Sequence, residues 1–219
     1  MSMFLKTEPT PVYLITSGET NRATTPASEE FKSLLALVRV GIAARVTLIQ
    51  LREKHLPARL LYELTARAAD ITRATGTRLL VNDRADIARA AGADGVHLTS
   101  QSLEASVVRR AFGDDFLVGV SAHTLAEAQA AQGGGANFAT FGPVFDTPSK
   151  RAYGSPVGLA KLTEAARALA PFPLYALGGL TLENARETLN AGAQGLAAIR
   201  LLSDPHTLEA TVRAIRSEL

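Results

Sequence analysis

The sequence predicts an α/β protein of one domain, a parallel (β/α)8 TIM barrel. Three observations lead there. Eight short apolar runs alternate with eight stretches of helical periodicity. The runs are mostly continuous in hydrophobicity, as in strands covered on both faces. No linker interrupts the series across 219 residues, a length that suits one barrel. A doubly wound open sheet shares the alternation, but a count of eight favours closure.

The elements follow in order. Residues 12–16 read as the first buried strand, and 17–28 as a polar loop. Within 29–44, Phe31, Leu34, Leu35, Val38 and Ile42 recur at helical spacing. The second pair is 46–51 and 57–75, the third 78–81 and 84–91, the fourth 95–98 and 103–112. The fifth is 116–120 and 124–132; the sixth is 137–141 and 159–170, around a long loop. The seventh is 173–177 and 182–191, the eighth 195–199 and 207–219. Small-residue turns at 91–95, 133–136 and 191–195 close helices before strands, where Gly can adopt the left-handed capping conformation. They belong to the rim opposite the site.

Composition narrows the function. Hydrophobic residues make up 47% of the chain, enough for a sizeable core. Lys and Arg number 23 against 21 Asp and Glu, with no block of one sign, so no nucleic-acid partner is expected. The absence of cysteine excludes disulfides, thiolate metal sites and Cys nucleophiles. No apolar stretch approaches the roughly 18 residues of a membrane span. Residues 1–11 lack a signal-peptide core, so a cytoplasmic protein is expected, with no membrane partner.

In parallel α/β proteins the loops after the strands share one rim, and active sites are built there. Asn82 and Asp83 follow the third strand; either suits a helix N-cap, and Asp83 also suits Mg²⁺. Gln50, Arg52 and Lys54 alternate at the end of the second strand. Period two aims them at the barrel mouth, with Leu51 and Glu53 pointing away. Two cations there suit an anion, although a solvated basic strand end has the same pattern. His97 lies inside an apolar strand and reads either as a core residue or as a direct participant. His123, at the mouth end of the fifth strand, can move a proton near neutral pH, and Ser121 beside it can donate to a phosphate or leaving group.

The loop 142–158 carries Asp146, Thr147, Ser149, Lys150, Arg151 and Tyr153, with Gly154 and Gly158 as hinges. Thr147 and Ser149 can hydrogen-bond phosphate oxygens, and Lys150 adds a point charge. Gly178-Gly179 lets backbone approach a ligand closely after strand seven, a common phosphate position in barrels. Arg200, at the end of strand eight, can add charge to the same phosphate or pair with a rim carboxylate. The set points to an enzyme acting on phosphorylated, pyrophosphorylated small molecules.

Six segments together have a family resemblance: residues 48–54 (LIQLREK), 81–84 (VNDR), 93–98 (ADGVHL), 119–123 (GVSAH), 142–150 (GPVFDTPSK) and 176–179 (ALGG). The chain resembles the thiamine-phosphate synthase family, which includes the related thiazole tautomerase. The resemblance runs from the first strand to the eighth. It implies joining of a pyrimidine pyrophosphate to a thiazole phosphate with release of pyrophosphate. It also implies that Arg52, Lys54, Asn82, Thr147, Ser149 and Lys150 contact the pyrophosphate. Asp83 would ligate Mg²⁺, and backbone at Gly179 would hold the thiazole phosphate.

Two positions depart from the synthase pattern. Ser102 stands where the family carries a second Mg²⁺-ligating Asp, and Arg200 stands where it carries Ser. Both departures resemble tautomerase-like members, in which a His matching His123 shuttles a proton and no Mg²⁺ is implied. Glu104, on the next helix turn, is a candidate for the ligand missing at Ser102. A catalytically silent barrel that binds thiazole or thiamine phosphate is a third reading.

Overall fold

The computed structural model describes residues 10–147 and 155–217. The strands are β1 Val12–Ile15, β2 Leu48–Leu51, β3 Arg78–Asn82, β4 Gly95–Leu98, β5 Leu117–Ala122, β6 Phe138–Phe141, β7 Leu174–Leu177 and β8 Gly195–Ala198. The helices are α1 Glu29–Ala43, α2 Ala58–Thr72, α3 Ala85–Ala90, α4 Ala105–Phe112, α5 Leu125–Gly133, α6 Gly158–Leu169, α7 Leu182–Asn190 and α8 Leu208–Ser217. Each strand pairs in parallel with the next, and β1 closes on β8 through Tyr13 opposite Ala197. The open-sheet alternative is thereby excluded. No helix among the described residues is long and apolar enough to cross a membrane.

Side-chain alternation divides the core. Val12, Leu14, Leu79, Val81 and Val96 face outward and pack against the apolar stripes of the helices. Tyr13, Ile15, Leu48, Leu80, Phe138, Tyr175 and Ala197 face inward and fill the barrel. Phe138 meets Tyr13 edge-on, with ring centroids 5.6 Å apart, and stacks on Tyr175 at 5.0 Å. Gly119 makes room for this cluster. A Cβ there would lie 2.4 Å from the Phe138 ring and 2.7 Å from His97 Nδ1. Each fully buried aromatic or leucine contributes about 1.5–3 kcal/mol.

The rim at the strands' N-terminal ends is built for stability. Asp94 pairs with Arg78 at 2.9 Å and accepts from the Leu79 amide at 2.8 Å. Arg109 ties α4 to the starts of β5 and β6 through the carbonyls of Phe116 and Gly135 and through Asn137 Oδ1. Gly92, Gly135 and Gly192 follow their helices in left-handed conformation, as the sequence predicts.

Several boundaries differ from expectation by one to three residues, and three of the differences have a clear local cause. Helix α2 stops at Thr72 rather than residue 75, because Arg73 turns extended and the Thr75 hydroxyl bonds the Thr72 carbonyl. Helix α4 starts at Ala105 rather than 103, because Thr99 to Ser102 forms its own hydrogen-bonded turn. Strand β8 ends at Ala198, and Arg200–Leu202 forms a 3₁₀ turn.

Candidate functional site

All eight strands point the same way, so the segments that follow them converge on one rim. Asp83, His123, Thr147, Gly178, Gly179 and Arg200 all lie there, and Asn82 ends β3 beneath it. Ser149 and Lys150, with Arg151 and Tyr153, fall outside the described residues.

Asp83 takes the left-handed conformation, φ 65°, and its amide donates to the His97 carbonyl at 2.9 Å. Asp is among the non-glycine residues that best tolerate this region. The turn removes Asp83 from helix capping: Arg84 is the N-cap residue of α3, and no side chain caps that helix. The exposed Asp83 carboxylate is therefore not consumed by the helix terminus. Asn82 shares the inward face with Leu80, two residues earlier, and is half-buried.

The end of β2 corrects the sequence reading. Gln50 does face inward, but it is sealed inside the barrel at 1% exposure and does not line an open mouth. Its Nε2 donates to the Tyr13 hydroxyl at 2.6 Å. Period two also ends with the strand at Leu51. Glu53, expected to point away, is buried and accepts from the Thr16 hydroxyl at 2.5 Å and the Thr20 hydroxyl at 2.7 Å. Arg52 is half-buried and Lys54 exposed. Arg22, Lys54, His55, Leu56 and Pro57 line a cavity of about 460 Å³ between the first two rim loops.

A polar chain crosses the barrel interior. Gln50 donates to Tyr13, so the phenol proton turns to His97 Nδ1, 3.1 Å away. His97 then carries its proton on Nε2, which donates to Ser121 Oγ at 3.0 Å. The Ser121 proton is left to point elsewhere. Burial pushes the His97 pKa down to about 3, so the ring stays neutral across the working range. Burial also raises Tyr13, against the Gln50 hydrogen bond, and raises Tyr175. His97 is thus an interior support and not an open-mouth acid or base.

His123 sits just past β5 and is exposed. Its Nδ1 donates to the Gly142 carbonyl, which leaves Nε2 as the acceptor nitrogen of the neutral ring. Its amide donates to Glu127, the same carboxylate that completes the capping box of α5 with Thr124.

The segment after β6 packs directly on the segment after β7. The Val144 amide donates to Leu177 O at 2.9 Å and the Phe145 amide to Gly178 O at 3.0 Å. A Cβ on Gly178 would lie 2.5 Å from Pro143 Cβ; one on Gly179 would lie 2.6 Å from Phe145 Cβ. The close approach that requires this glycine pair is thus, in the first place, to the chain itself. Val157 and Gly158 bond back to Pro143 and Val144, so the two ends of the 142–158 loop are joined. Thr147 is buried, and its Oγ1 has no hydrogen-bond partner among the described residues. Such an orphan hydroxyl costs about 1–3 kcal/mol and suits an acceptor supplied from outside.

The donor set fits Mg²⁺ through one carboxylate. No group of three or more His, Cys, Asp or Glu able to hold a metal occurs among the described residues. Ser102 Oγ accepts from the Thr99 amide at 2.8 Å and meets Thr99 Oγ1 at 3.1 Å, so its hydroxyl is turned into its own loop. Glu104 accepts from Ser106 at 3.3 Å at the start of α4. Of the described candidates at positions 83, 102 and 104, Asp83 is the one exposed rim carboxylate not used by its own loop or helix, and Mg²⁺ is commonly held by one or two carboxylates with waters and phosphate oxygens.

Sequence reasoning missed Tyr13, Thr16, Thr20, Arg22 and Glu53. For Thr16 and Thr20 the signal was a polar cluster at the top of an otherwise apolar strand.

A closed parallel barrel with polar groups gathered at the strands' C-terminal ends is the architecture of a barrel enzyme. Residues 12–202 match the family model described as thiamine monophosphate synthase. The chain is 48% identical over 179 residues to a Geobacter sulfurreducens protein provisionally named thiamine-phosphate synthase, covering 81% of this chain and 84% of that one. It is 41% identical over 184 residues to the thiamine-phosphate synthase of Roseiflexus castenholzii, covering 84% and 80%. Among solved structures, thiamine phosphate pyrophosphorylase from Pyrococcus furiosus superposes with a TM-score of 0.79 at 28% identity, covering 95% of each chain. This chain belongs to the thiamine-phosphate synthase family.

Proposed function

We propose that this chain joins hydroxymethylpyrimidine pyrophosphate to thiazole phosphate, releasing pyrophosphate and forming thiamine phosphate. The observation that carries the reading is the Asp83 carboxylate, freed from capping by its left-handed turn. It follows β3, beside the strand β2, whose following loop carries Arg52 and Lys54.

The reaction breaks the bond between the pyrimidine methylene carbon and the pyrophosphate oxygen, and the electron pair leaves with oxygen. The thiazole nitrogen supplies the pair for the new carbon–nitrogen bond. Negative charge grows on the departing oxygen, so preorganised donors and cations there lower the barrier. Arg52, Lys54 and Lys150 supply positive charge to it. Asn82, Thr147 and Ser149 donate hydrogen bonds, the Thr147 hydroxyl gaining the partner it lacks among the described residues. Ser121, its oxygen already accepting from His97, donates its own proton toward the leaving group. Backbone at Gly178 and Gly179, with Arg200, receives the thiazole phosphate. Asp83 would hold Mg²⁺, which when bound neutralises charge on the pyrophosphate.

The test is incubation with both substrates, with and without Mg²⁺, read by mass. Thiamine phosphate that requires Mg²⁺ is the expected product. Metal-independent isomerisation of thiazole carboxylate phosphate, without condensation, sinks the proposal in favour of the tautomerase. Tight thiazole phosphate binding without turnover marks a silent binder.

A further inference from the structure

We infer that Glu53 is a positioning residue, and that Arg22 is an additional anion contact placed by the loop that Glu53 holds. The inference rests on the proposed function only for the identity of the anion.

Glu53 is 3% exposed, and both its oxygens are engaged with one stretch of chain. Oε1 accepts from the Thr16 hydroxyl at 2.5 Å. Oε2 accepts from the Thr20 hydroxyl at 2.7 Å and the Thr20 amide at 3.3 Å. Thr16 Oγ1 in turn accepts from the Arg52 amide at 2.8 Å, and the Thr16 amide donates to the Gln50 carbonyl at 3.0 Å. The carboxylate thus joins the top of β1, the loop 17–28 and the top of β2. Thr16 and Thr20 are themselves buried.

The loop crosses directly over Arg52. At Gly18, φ 82°, a Cβ would stand 3.0 Å from the Arg52 carbonyl oxygen and 3.5 Å from its guanidinium Nη1. Two residues beyond Thr20, Arg22 reaches the cavity it shares with Lys54 and His55. A buried carboxylate is costly unless fully hydrogen-bonded. Packing alone would be served by an apolar side chain. What the carboxylate adds is a fixed loop: ordering each backbone residue costs about 1–2 kcal/mol. Cations ordered before the ligand arrives bind it more tightly than mobile ones. Through Glu53, the Arg52 backbone and Arg22 are set before an anion enters.

The experiment measures inorganic pyrophosphate binding by calorimetry, with steady-state kinetics and melting temperatures alongside. Glu53→Gln keeps the shape but cannot accept all three hydrogen bonds. Pyrophosphate affinity should fall about tenfold, and Arg22→Ala should lower it about threefold to tenfold. KM for the pyrophosphorylated substrate should rise with them, while KM for thiazole phosphate and kcat stay within about threefold. If Glu53→Gln fails to fold, Thr20→Val reads the same loss and Thr20→Ser should restore binding. Unchanged pyrophosphate affinity in these variants overturns the inference. So does a loss falling equally on both KM values and tracking melting temperature, since a merely structural role predicts that. Pyrophosphate binding that depends on Glu53 without condensation overturns the proposed reaction and leaves this inference standing. No pyrophosphate binding by the unsubstituted chain overturns the inference.

Discussion

The Tyr13 hydroxyl donates to His97 Nδ1 across 3.1 Å in the sealed interior of the barrel. Gln50, donating to the same hydroxyl, sets that direction, so His97 presents a proton to Ser121 at the mouth. A buried neutral histidine therefore orients a hydroxyl on the working rim. The cost of holding it neutral appears as acid sensitivity.

His97 has a folded-state pKa of about 3 against an ordinary value of 6.5, with burial as the cause. A depressed value means that the unfolded chain binds the proton first. Stability is full above about pH 6.5 and is lost as pH falls toward 3, at about 1.4 kcal/mol per pH unit. Urea unfolding between pH 7 and 4 should show this slope. In His97→Gln the slope should flatten by about one proton, whatever the baseline stability. Identical slopes would exclude a buried neutral His97.

Asp83 separates backbone from carboxylate. Asp83→Asn keeps a side chain that tolerates φ 65° and should melt within a few degrees of the parent. Condensation should fall by about 2–4 kcal/mol of transition-state stabilisation, and the Mg²⁺ needed for half-activation should rise. Ser102→Asp should lower that Mg²⁺ requirement. Unchanged kcat/KM in Asp83→Asn would remove Asp83 from the site.

Gly179→Ala places a Cβ 2.6 Å from Phe145 Cβ and 2.8 Å from the Asp146 carbonyl oxygen, at a backbone φ of 67°. Overpacking and left-handed strain each cost about 1–3 kcal/mol. The variant should lose stability by that order in urea, and KM for thiazole phosphate should rise as the segment after β6 is displaced. A variant as stable as the parent would show that the two segments are not locked together.

His123 and Lys150 divide the two chemistries. Lys150→Ala should cost condensation about 2–4 kcal/mol through loss of a charge at the leaving group. His123→Ala should lower condensation less than about tenfold, since its Nδ1 is already engaged with Gly142. A tautomerase reverses the order, with His123→Ala abolishing turnover. Side-by-side kcat/KM values for both variants decide it.

Eight apolar runs and eight amphipathic stretches were enough to establish the barrel, because hydrophobic period is a local property of the chain. The parallel direction then assigned Asp83, His123, Thr147, Gly179 and Arg200 to one rim, since every loop after a strand must emerge on the same side. What the sequence could not decide was set by neighbours distant along the chain. Gln50 and Glu53 alternate correctly on paper. Yet Gln50 is sealed by a tyrosine 37 residues away, and Glu53 is buried by threonines from another loop. Asp83 reads as a ligand with a cap as its competitor until its backbone turns left-handed. Strand period aims a side chain; which partners close around it, and whether water reaches it, is decided only by tertiary packing.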